Sequence, residues 1–181
     1  KVIYPRRFEG DIRKIYAQGE VFLEVAHDKK HPFIVESDDF KLQVLGTKFN
    51  ISNYKGGTTN IVLVEGAVEV TDKNEKKARL NPNDLLNIAN GTIAYQKQVD
   101  VAEYISWVEG IMLLNGNDLS QIIQRLSIYY GIPIQCDPII GKEKVYGKLD
   151  LKDDIDEVIE CIQQTLPFTI EKSDTSIYLN K

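Results

Sequence analysis

Two histidines in the first half of the chain have a spacing that could bind a metal ion. His27 and His31 lie four residues apart with Asp28 between them, and on a helix this spacing would direct both imidazoles to one face. Pro32 follows at once, and helix is disfavoured before a proline, so the sequence predicts a solvated polar turn. We therefore expect no metal site at these histidines.

Acidic side chains cluster in the last third of the chain and could indicate a calcium site. The cluster comprises Asp150, Asp153, Asp154, Asp156 and Glu157. A calcium loop needs alternating oxygen ligands, a glycine for the turn and a distal glutamate, and this run has neither the glycine nor the register. Carboxylates also stabilise the N-terminus of a helix, which explains the cluster without an ion. The sequence predicts neither a metal nor a cofactor.

Side chains for acid–base or nucleophilic catalysis are present, but not in catalytic arrangements. The glutamates that could form a glycosidase pair are strand residues at even spacings, which a solvated sheet face explains: Glu20, Glu24, Glu65 and Glu69. Ser106, Ser120 and Ser127 lack the strand–turn–helix context of a nucleophile elbow. No glycine-rich loop in the sequence is placed to bind a phosphate. The sequence therefore predicts a protein that is not an enzyme.

The composition is that of a soluble globular protein large enough for two small domains. The chain has 181 residues, of which 43% are hydrophobic and 27% are charged, and its net charge is −5. This acidic balance argues against nucleic-acid binding. No apolar run is long enough to span a bilayer, and no signal peptide is visible. Since Lys1 looks like part of a strand, we expect a fragment of a longer protein.

The two cysteines, Cys136 and Cys161, are predicted to be buried free thiols. Cys136 alternates with Ile132 and Ile134 and is expected to pack as a small apolar residue. Cys161 lies at the flank of the apolar face of a predicted helix. No histidine is near either cysteine in sequence, so we expect no metal site. We also expect no disulfide, although an oxidising compartment would allow one as the alternative.

The predicted elements are organised around the stretch from Lys41 to Val70. Two runs rich in β-branched and aromatic residues, Leu42–Ile51 and Ile61–Val70, predict two strands, with Gly56-Gly57 as the hairpin turn between them. The apolar positions of the first run change parity, which predicts a β-bulge near Leu45-Gly46. The second run places Val62, Val64, Val68 and Val70 on one face, with Gly66 where a side chain would crowd.

The periodicity of the chain changes from two to 3.6 after Val99. Before this point, alternating patterns and closely spaced turns predict an all-β domain. The apolar positions that follow fit one face of a short helix: Val101, Tyr104, Ile105 and Val108. Trp107 is predicted to anchor a core or a domain junction.

The remainder of the chain contains an internal repeat. An offset of 36 residues relates two helical faces, Leu119, Ile122, Ile123 and Leu126 in the first and Ile155, Val158, Ile159 and Ile162 in the second. The same offset relates Ile132 to Phe168 and Ile134 to Ile170, and Asn117-Asp118 and Asp153-Asp154 are placed to cap the helices. The sequence predicts an α+β fold, with an all-β domain at 1–99, a junction at 100–109 and a duplicated βαβ domain at 110–181.

Several of these motifs resemble the FecR family. The residues that carry the resemblance are Gly19-Glu20-x-Phe22-x-Glu24-Val25-Ala26, Pro32-Phe33-Ile34-Val35, Val44-Leu45-Gly46-Thr47-x-Phe49-Asn50, Leu63-Val64-Glu65-Gly66-x-Val68 and Trp107-x-x-Gly110. The duplicated βαβ pattern with its last strand resembles the short STN-like signalling domains of TonB-dependent transducers and secretins. The run from Leu119 to Ile134 is similar to the C-terminal domain of FecR-like proteins of the glycan-uptake type. Asn83 departs from the family, which usually has a Pro-Gly turn there. The match covers essentially the whole chain in order.

The resemblance implies the periplasmic region of a transmembrane anti-sigma factor that regulates iron or glycan uptake. Its C-terminal domain would receive a signal from the N-terminal signalling domain of an outer-membrane TonB-dependent transporter. A preceding cytoplasmic domain would hold or release an extracytoplasmic-function (ECF) sigma factor. The membrane would be contacted only through a transmembrane helix outside this chain, and no nucleic-acid partner is implied.

Strand edges of the small domain are the predicted binding surface, because its core uses both helix faces. The candidate strands are Val145–Leu149 and Ser176–Leu179, and the candidate site residues are Val145, Tyr146, Lys148, Ile177, Tyr178 and Leu179. We expect the change of Tyr178 to alanine to weaken transporter binding by more than ~1 kcal/mol. The alternative is that Tyr146 and Tyr178 only cover the core.

A second interpretation is a periplasmic module that binds a glycan on its β-face. Such a site needs exposed aromatic platforms, and the sequence offers Tyr54, Tyr95 and Tyr104. Each of these could equally be a core or an edge residue.

Overall fold

The protein, described by a computed structural model over residues 1–54 and 57–181, has an α+β fold. The chain divides into two compact units, which we call the first unit, Lys1–Ile105, and the second unit, Ser106–Lys181. The border falls within the segment 100–109 that the sequence assigns to a junction. Each unit contains its own hydrophobic core.

The first unit is built from strands in two sheets. In chain order the strands are β1 Val2–Ile3, β2 Arg13–Ala17, β3 Gly19–Val25, β4 Phe33–Glu36, β5 Phe40–Val44, β6 Thr47–Asn53, β7 Thr59–Glu65, β8 Val68–Asp72, β9 Lys77–Leu80, β10 Asp84–Ala89 and β11 Thr92–Gln98. The short helix α1, Ala102–Ile105, follows them. One sheet has the order β1-β2-β4-β5-β8-β9 and the other β11-β10-β7-β6-β3. Residues that alternate along the strands of both sheets, such as Leu42, Val70, Phe49 and Leu86, form the core of this unit.

The predicted runs Leu42–Ile51 and Ile61–Val70 form strands, and β6 pairs antiparallel with β7 as the predicted hairpin requires, but the continuity of each run is wrong, because each is two strands in different sheets. Leu45-Gly46 connects β5 in one sheet to β6 in the other, and Gly66-Ala67 connects β7 to β8 in the reverse direction. The change of parity at Leu45 therefore marks a corner between sheets and not the expected bulge. A register shift does occur, between Lys48 and Phe49 in the pairing of β6 with β7. The predicted hairpin turn at Gly56-Gly57 includes Gly56, which lies outside the described residues.

The two corners pack against each other through their glycines. Gly66 has a φ of +95°, and a Cβ on it would lie 2.7 Å from the carbonyl oxygen of Gly46. A Cβ on Gly46 would in turn lie 2.5 Å from the Cα of His27. The Thr47 hydroxyl donates a hydrogen bond of 3.0 Å to the Ala67 carbonyl across the same contact. The predicted crowding at Gly66 is confirmed.

The second unit places two helices against two small sheets. Its elements are a 3-10 turn Ser106–Glu109, β12 Ile111–Asp118, α2 Leu119–Tyr130, β13 Ile134–Cys136, a 3-10 turn Ile140–Lys142, β14 Lys144–Asp150, α3 Ile155–Gln163, β15 Thr169–Lys172 and β16 Ile177–Asn180. The predicted helical faces are confirmed, since all their residues are buried except Ile155, which is partly buried. The only tryptophan of the chain, Trp107, packs against this core.

The order strand, helix, strand occurs twice in the second unit, but neither repeat forms a crossover within one sheet. β12 and β14 pair antiparallel in a two-stranded sheet. β13 and β15, the second strands of the two repeats, lie in a separate sheet with the order β13-β16-β15. Each repeat therefore contributes one strand to each sheet, and its helix connects the two.

The N-terminus of α3 is capped by a side chain. The Asp154 carboxylate accepts hydrogen bonds of 3.0 Å from the backbone N–H groups of Asp156 and Glu157. The change of Asp154 to alanine should therefore lower the free energy of unfolding of the second unit by about 1 kcal/mol. Urea denaturation followed by Trp107 fluorescence would measure this loss. The matched control is Asp153→Ala, which removes a neighbouring carboxylate that makes no capping bond, and an equal loss in both variants would contradict the prediction.

Candidate protein-binding strand

Strand β14 has one paired edge and one edge that pairs with no strand in the described part of the chain. β12 pairs with it from Ile111 opposite Asp150 to Asp118 opposite Lys144. The ladder continues at both ends, where the Leu151 N–H donates to the Gly110 carbonyl at 2.7 Å and the Leu119 N–H donates to the Glu143 carbonyl at 2.9 Å.

These two bonds fix the direction of the backbone groups of β14. Because backbone bonding alternates along an antiparallel strand, the odd-numbered residues between 143 and 151 bond to β12. The N–H and C=O groups of Lys144, Tyr146 and Lys148 consequently point away from β12, toward the unpaired edge.

Side chains of β14 divide between the core and the outer face. Val145 and Leu149 are buried in the core of the second unit, whereas Tyr146 is 68% exposed and Lys148 is also exposed. The predicted site residues Tyr146 and Lys148 are therefore accessible, while Val145 supports the strand from within. Lys148 makes no ion pair with any described residue.

Lys144, at the start of β14, pairs with the residue that precedes α2. Its Nζ lies 3.0 Å from an Asp118 carboxylate oxygen. Asp118 makes no side-chain capping bond to α2, although the sequence places it as a cap. The ion pair thus links the junction of β12 and α2 to β14. Lys148 remains the exposed cation in the centre of the strand.

The assignment of Ser176–Leu179 to a sheet edge is wrong. β16 is the central strand of its sheet, parallel to β13 on one side and antiparallel to β15 on the other. Ile177 and Leu179 are buried in the core, and Tyr178 is half-buried opposite Gln135 and Glu171. Both rows of β16 backbone groups face neighbouring strands, so this strand cannot accept another one. The binding role predicted for Ile177, Tyr178 and Leu179 loses its geometric basis.

Sequence reasoning missed Gly116, which lies beside Tyr146. The pairing of β12 with β14 shifts register between Asn115 and Asn117, so Gly116 is an extra residue in a β-bulge. The run Asn115-Gly116-Asn117 carries a signal for it, because a glycine flanked by turn-forming residues inside a strand is typical of a bulge.

The cysteines differ in part from the prediction. Both are free, but Cys161 is exposed and Cys136 is half-buried, so the expectation of two buried thiols is wrong. The buried face of α3 is formed by Val158, Ile159 and Ile162. Cys161 lies outside this face and is therefore exposed to solvent. Burial and the neighbouring Asp137 carboxylate raise the pKa of the Cys136 thiol.

The histidine pair and the acidic cluster do not form a metal centre in the described residues. The His31 imidazole instead lies 2.7 Å from the Asp28 carboxylate, within the turn before Pro32. This hydrogen bond from His31, together with the backbone N–H groups of Lys30 and His31, lowers the pKa of Asp28.

The three tyrosines that could form a glycan site differ in their exposure and in their contacts. The Tyr54 hydroxyl donates to a Glu20 carboxylate oxygen at 3.0 Å, and Tyr104 is half-buried. Tyr95 is exposed, but the Lys97 ammonium lies over its ring at 5.9 Å from the centroid. Of the three, Tyr95 alone is exposed.

Comparisons with known proteins cover both units. The family model described as FecR protein matches residues 2–69, and the model described as FecR, C-terminal matches residues 111–179. No helix in the described residues has the length and hydrophobicity needed to cross a membrane. A search of curated proteins finds no match.

Two crystal structures of a proposed anti-sigma factor from Parabacteroides distasonis ATCC 8503 are similar to the chain along nearly its whole length. One is 30% identical with a TM-score of 0.84, and the match covers 99% of this chain and 85% of that one. The other is 31% identical with a TM-score of 0.82, and the match covers 98% of this chain and 84% of that one. With both family models matched in order and a relative of this identity and coverage, the chain belongs to the FecR family of anti-sigma factors.

Proposed function

We propose that this chain is the periplasmic, signal-receiving region of a membrane-anchored anti-sigma factor. Its second unit receives the N-terminal signalling domain of an outer-membrane TonB-dependent transporter. A cytoplasmic domain and a transmembrane helix outside this chain pass the signal to an ECF sigma factor. Membership of a regulatory family, with both the FecR and the FecR C-terminal regions present, supports this role.

The single observation that carries the proposal is the open edge of β14 in the unit that matches the FecR C-terminal model. Unpaired strand edges are routinely used for recognition of another chain, and exposed tyrosines are enriched among the residues that dominate binding energy. β14 offers both features at Tyr146.

Charge adds selectivity to this edge. The second unit contains twelve acidic and seven basic residues, so its surface is acidic overall. Lys144 and Lys148 make β14 a locally basic strand on that surface, although Lys144 is partly neutralised by Asp118. A partner with an acidic binding strand is therefore favoured over one with a basic strand, and its association rate should fall with added salt.

The change of Tyr146 to alanine is expected to weaken binding of the transporter's signalling domain at least about tenfold, or ~1.4 kcal/mol. The measurement is a calorimetric titration of the folded chain with that domain. Tyr178→Ala is the matched control, because it removes a tyrosine from a central strand of the same unit. We expect its affinity to stay within about twofold of the original.

Two results would contradict the proposed function. One is failure of the unchanged chain to bind any transporter signalling domain from the same genome. The other is calorimetric detection of oligosaccharide binding to the chain that the change Tyr95→Ala abolishes. That result would favour the glycan-binding module instead.

A further inference from the structure

The ring of Tyr146 lies directly over the bulge of the neighbouring strand. Gly116 has a φ of +76°, and a Cβ placed on it would lie 3.0 Å from the Tyr146 Oη and 3.2 Å from Cε1 and Cζ. At these distances a side chain on residue 116 would displace the Tyr146 ring by a few tenths of an ångström. The register shift at Gly116 brings the β12 backbone to this position, so the bulge and the ring form one feature.

The ring is accessible from outside although it lies close to the bulge. Tyr146 is 68% exposed, and three of its ring and hydroxyl atoms lie 3.0 to 3.2 Å from the position of a Cβ on Gly116. A tyrosine has few rotatable bonds, so its side chain loses little entropy when a partner covers it. The exposed side of Tyr146 is thus an apolar surface next to unpaired backbone groups.

We infer that Gly116 is a positioning residue that holds Tyr146 as a platform, and that the transporter's signalling domain binds by adding an extended strand along β14. This inference rests on the function proposed above and specifies how the same site works. The added strand forms backbone hydrogen bonds with Lys144, Tyr146 and Lys148, whose N–H and C=O groups point to the open edge. Its side chains include an apolar or aromatic residue on the Tyr146 ring and a carboxylate near Lys148.

A double-mutant cycle tests the role of Gly116. Gly116→Ala should weaken binding, though by less than Tyr146→Ala does, and the double variant should bind no more weakly than Tyr146→Ala alone, because both changes act on the same ring. Gly131→Ala is the matched control, since its φ of +68° imposes a similar backbone strain with nothing within 4 Å of the added Cβ. It should leave the affinity unchanged.

A measurement without any partner separates positioning from general stability. Nuclear Overhauser effects between the Tyr146 ring protons and the Gly116 Hα protons are expected in the free chain. They should disappear at residue 116 in Gly116→Ala while the remaining spectrum shows an intact fold. Fully additive losses in the cycle, or absence of these effects in the original chain, would overturn the role of Gly116.

Strand addition is tested at Lys148 by two changes that remove the same side chain. Lys148→Ala keeps the outward N–H, whereas Lys148→Pro removes it, and proline is tolerated on an edge strand when its nitrogen faces solvent. We expect the proline variant to bind at least tenfold more weakly than the alanine variant. Equal affinities, with both variants folded by circular dichroism, would rule out pairing along this edge.

The outcomes distinguish the proposed function from the inference about β14. If the unchanged chain does not bind the signalling domain, the proposed function fails. If it binds and the variants at Gly116, Tyr146 and Lys148 bind equally well, the function stands and the inference about β14 is wrong.

Discussion

Alanine in place of Gly66 is expected to lower the free energy of unfolding of the first unit by about 3 kcal/mol. Two costs combine at this position. The φ of +95° is unfavourable for a residue with a side chain, and the new Cβ would lie 2.7 Å from the Gly46 carbonyl oxygen. Gly46 cannot move away easily, because its own backbone is packed against His27. Urea denaturation followed by circular dichroism, with Trp107 fluorescence reporting the second unit separately, would measure the loss.

Gly10 provides the matched control for Gly66 within the same unit. Its φ is +85°, but nothing lies within 4 Å of an added Cβ. Gly10→Ala should therefore cost only about 1 kcal/mol, from backbone strain alone. Equal losses for the two variants would show that the corner contact contributes nothing.

Asparagine in place of Asp72 is expected to lower the urea midpoint of the first unit at least as far as Gly66→Ala does. One carboxylate oxygen accepts from the Asn74 N–H at 2.8 Å and the Lys76 N–H at 3.0 Å, and the other accepts from the Ile93 N–H at 2.9 Å. Asp72 thereby connects the β8–β9 turn to the start of β11. An asparagine keeps one oxygen and directs an NH2 group at one of these backbone N–H groups, so that two hydrogen-bond donors face each other.

The same bonds predict a dependence on pH. The hydrogen bond from the Ile93 N–H, followed by those from Lys76 and Asn74, lowers the pKa of Asp72 below its ordinary value of 3.8. The unfolded chain therefore binds this proton first, so the stabilisation is complete above that ordinary value and is lost as the pH falls through the lowered pKa. Asp72→Asn should make the free energy of unfolding depend less on pH in this acid range. Asp11→Asn, at an exposed position, should leave the pH dependence unchanged. The same pH dependence in Asp72→Asn as in the original chain would contradict the prediction.

The helices of the second unit could be predicted because their signal is local. Leu119, Leu126, Val158 and Ile162 recur with the period of a helix, and each is buried. The strands of the first unit also carry local signals, but alternation within a strand does not reveal its sheet. Residues on both sides of the Leu45-Gly46 corner face one core from opposite sheets, so a continuous apolar pattern conceals a change of sheet.

Neighbours in a sheet could not be predicted, because pairing joins residues that are distant in sequence. Ile134 pairs with Ile177, and no property of either short strand indicates the other. The open edge of β14 and the closed edges of β16 have similar compositions, a tyrosine among apolar residues. Composition therefore identified both strands as candidates, and topology separated them.

The position of β16 at the end of the second unit also determines when this unit can complete its fold. β16 is the last of its strands to leave the ribosome, yet β13 and β15 both depend on it for their ladders. Until residues 177–180 emerge, the three-stranded sheet lacks its central strand, and the apolar groups that Ile177 and Leu179 will cover remain exposed to water. Contacts of such long sequence separation form slowly. A nascent or truncated chain without β16 is therefore held in a state that proteases and chaperones can recognise as unfinished.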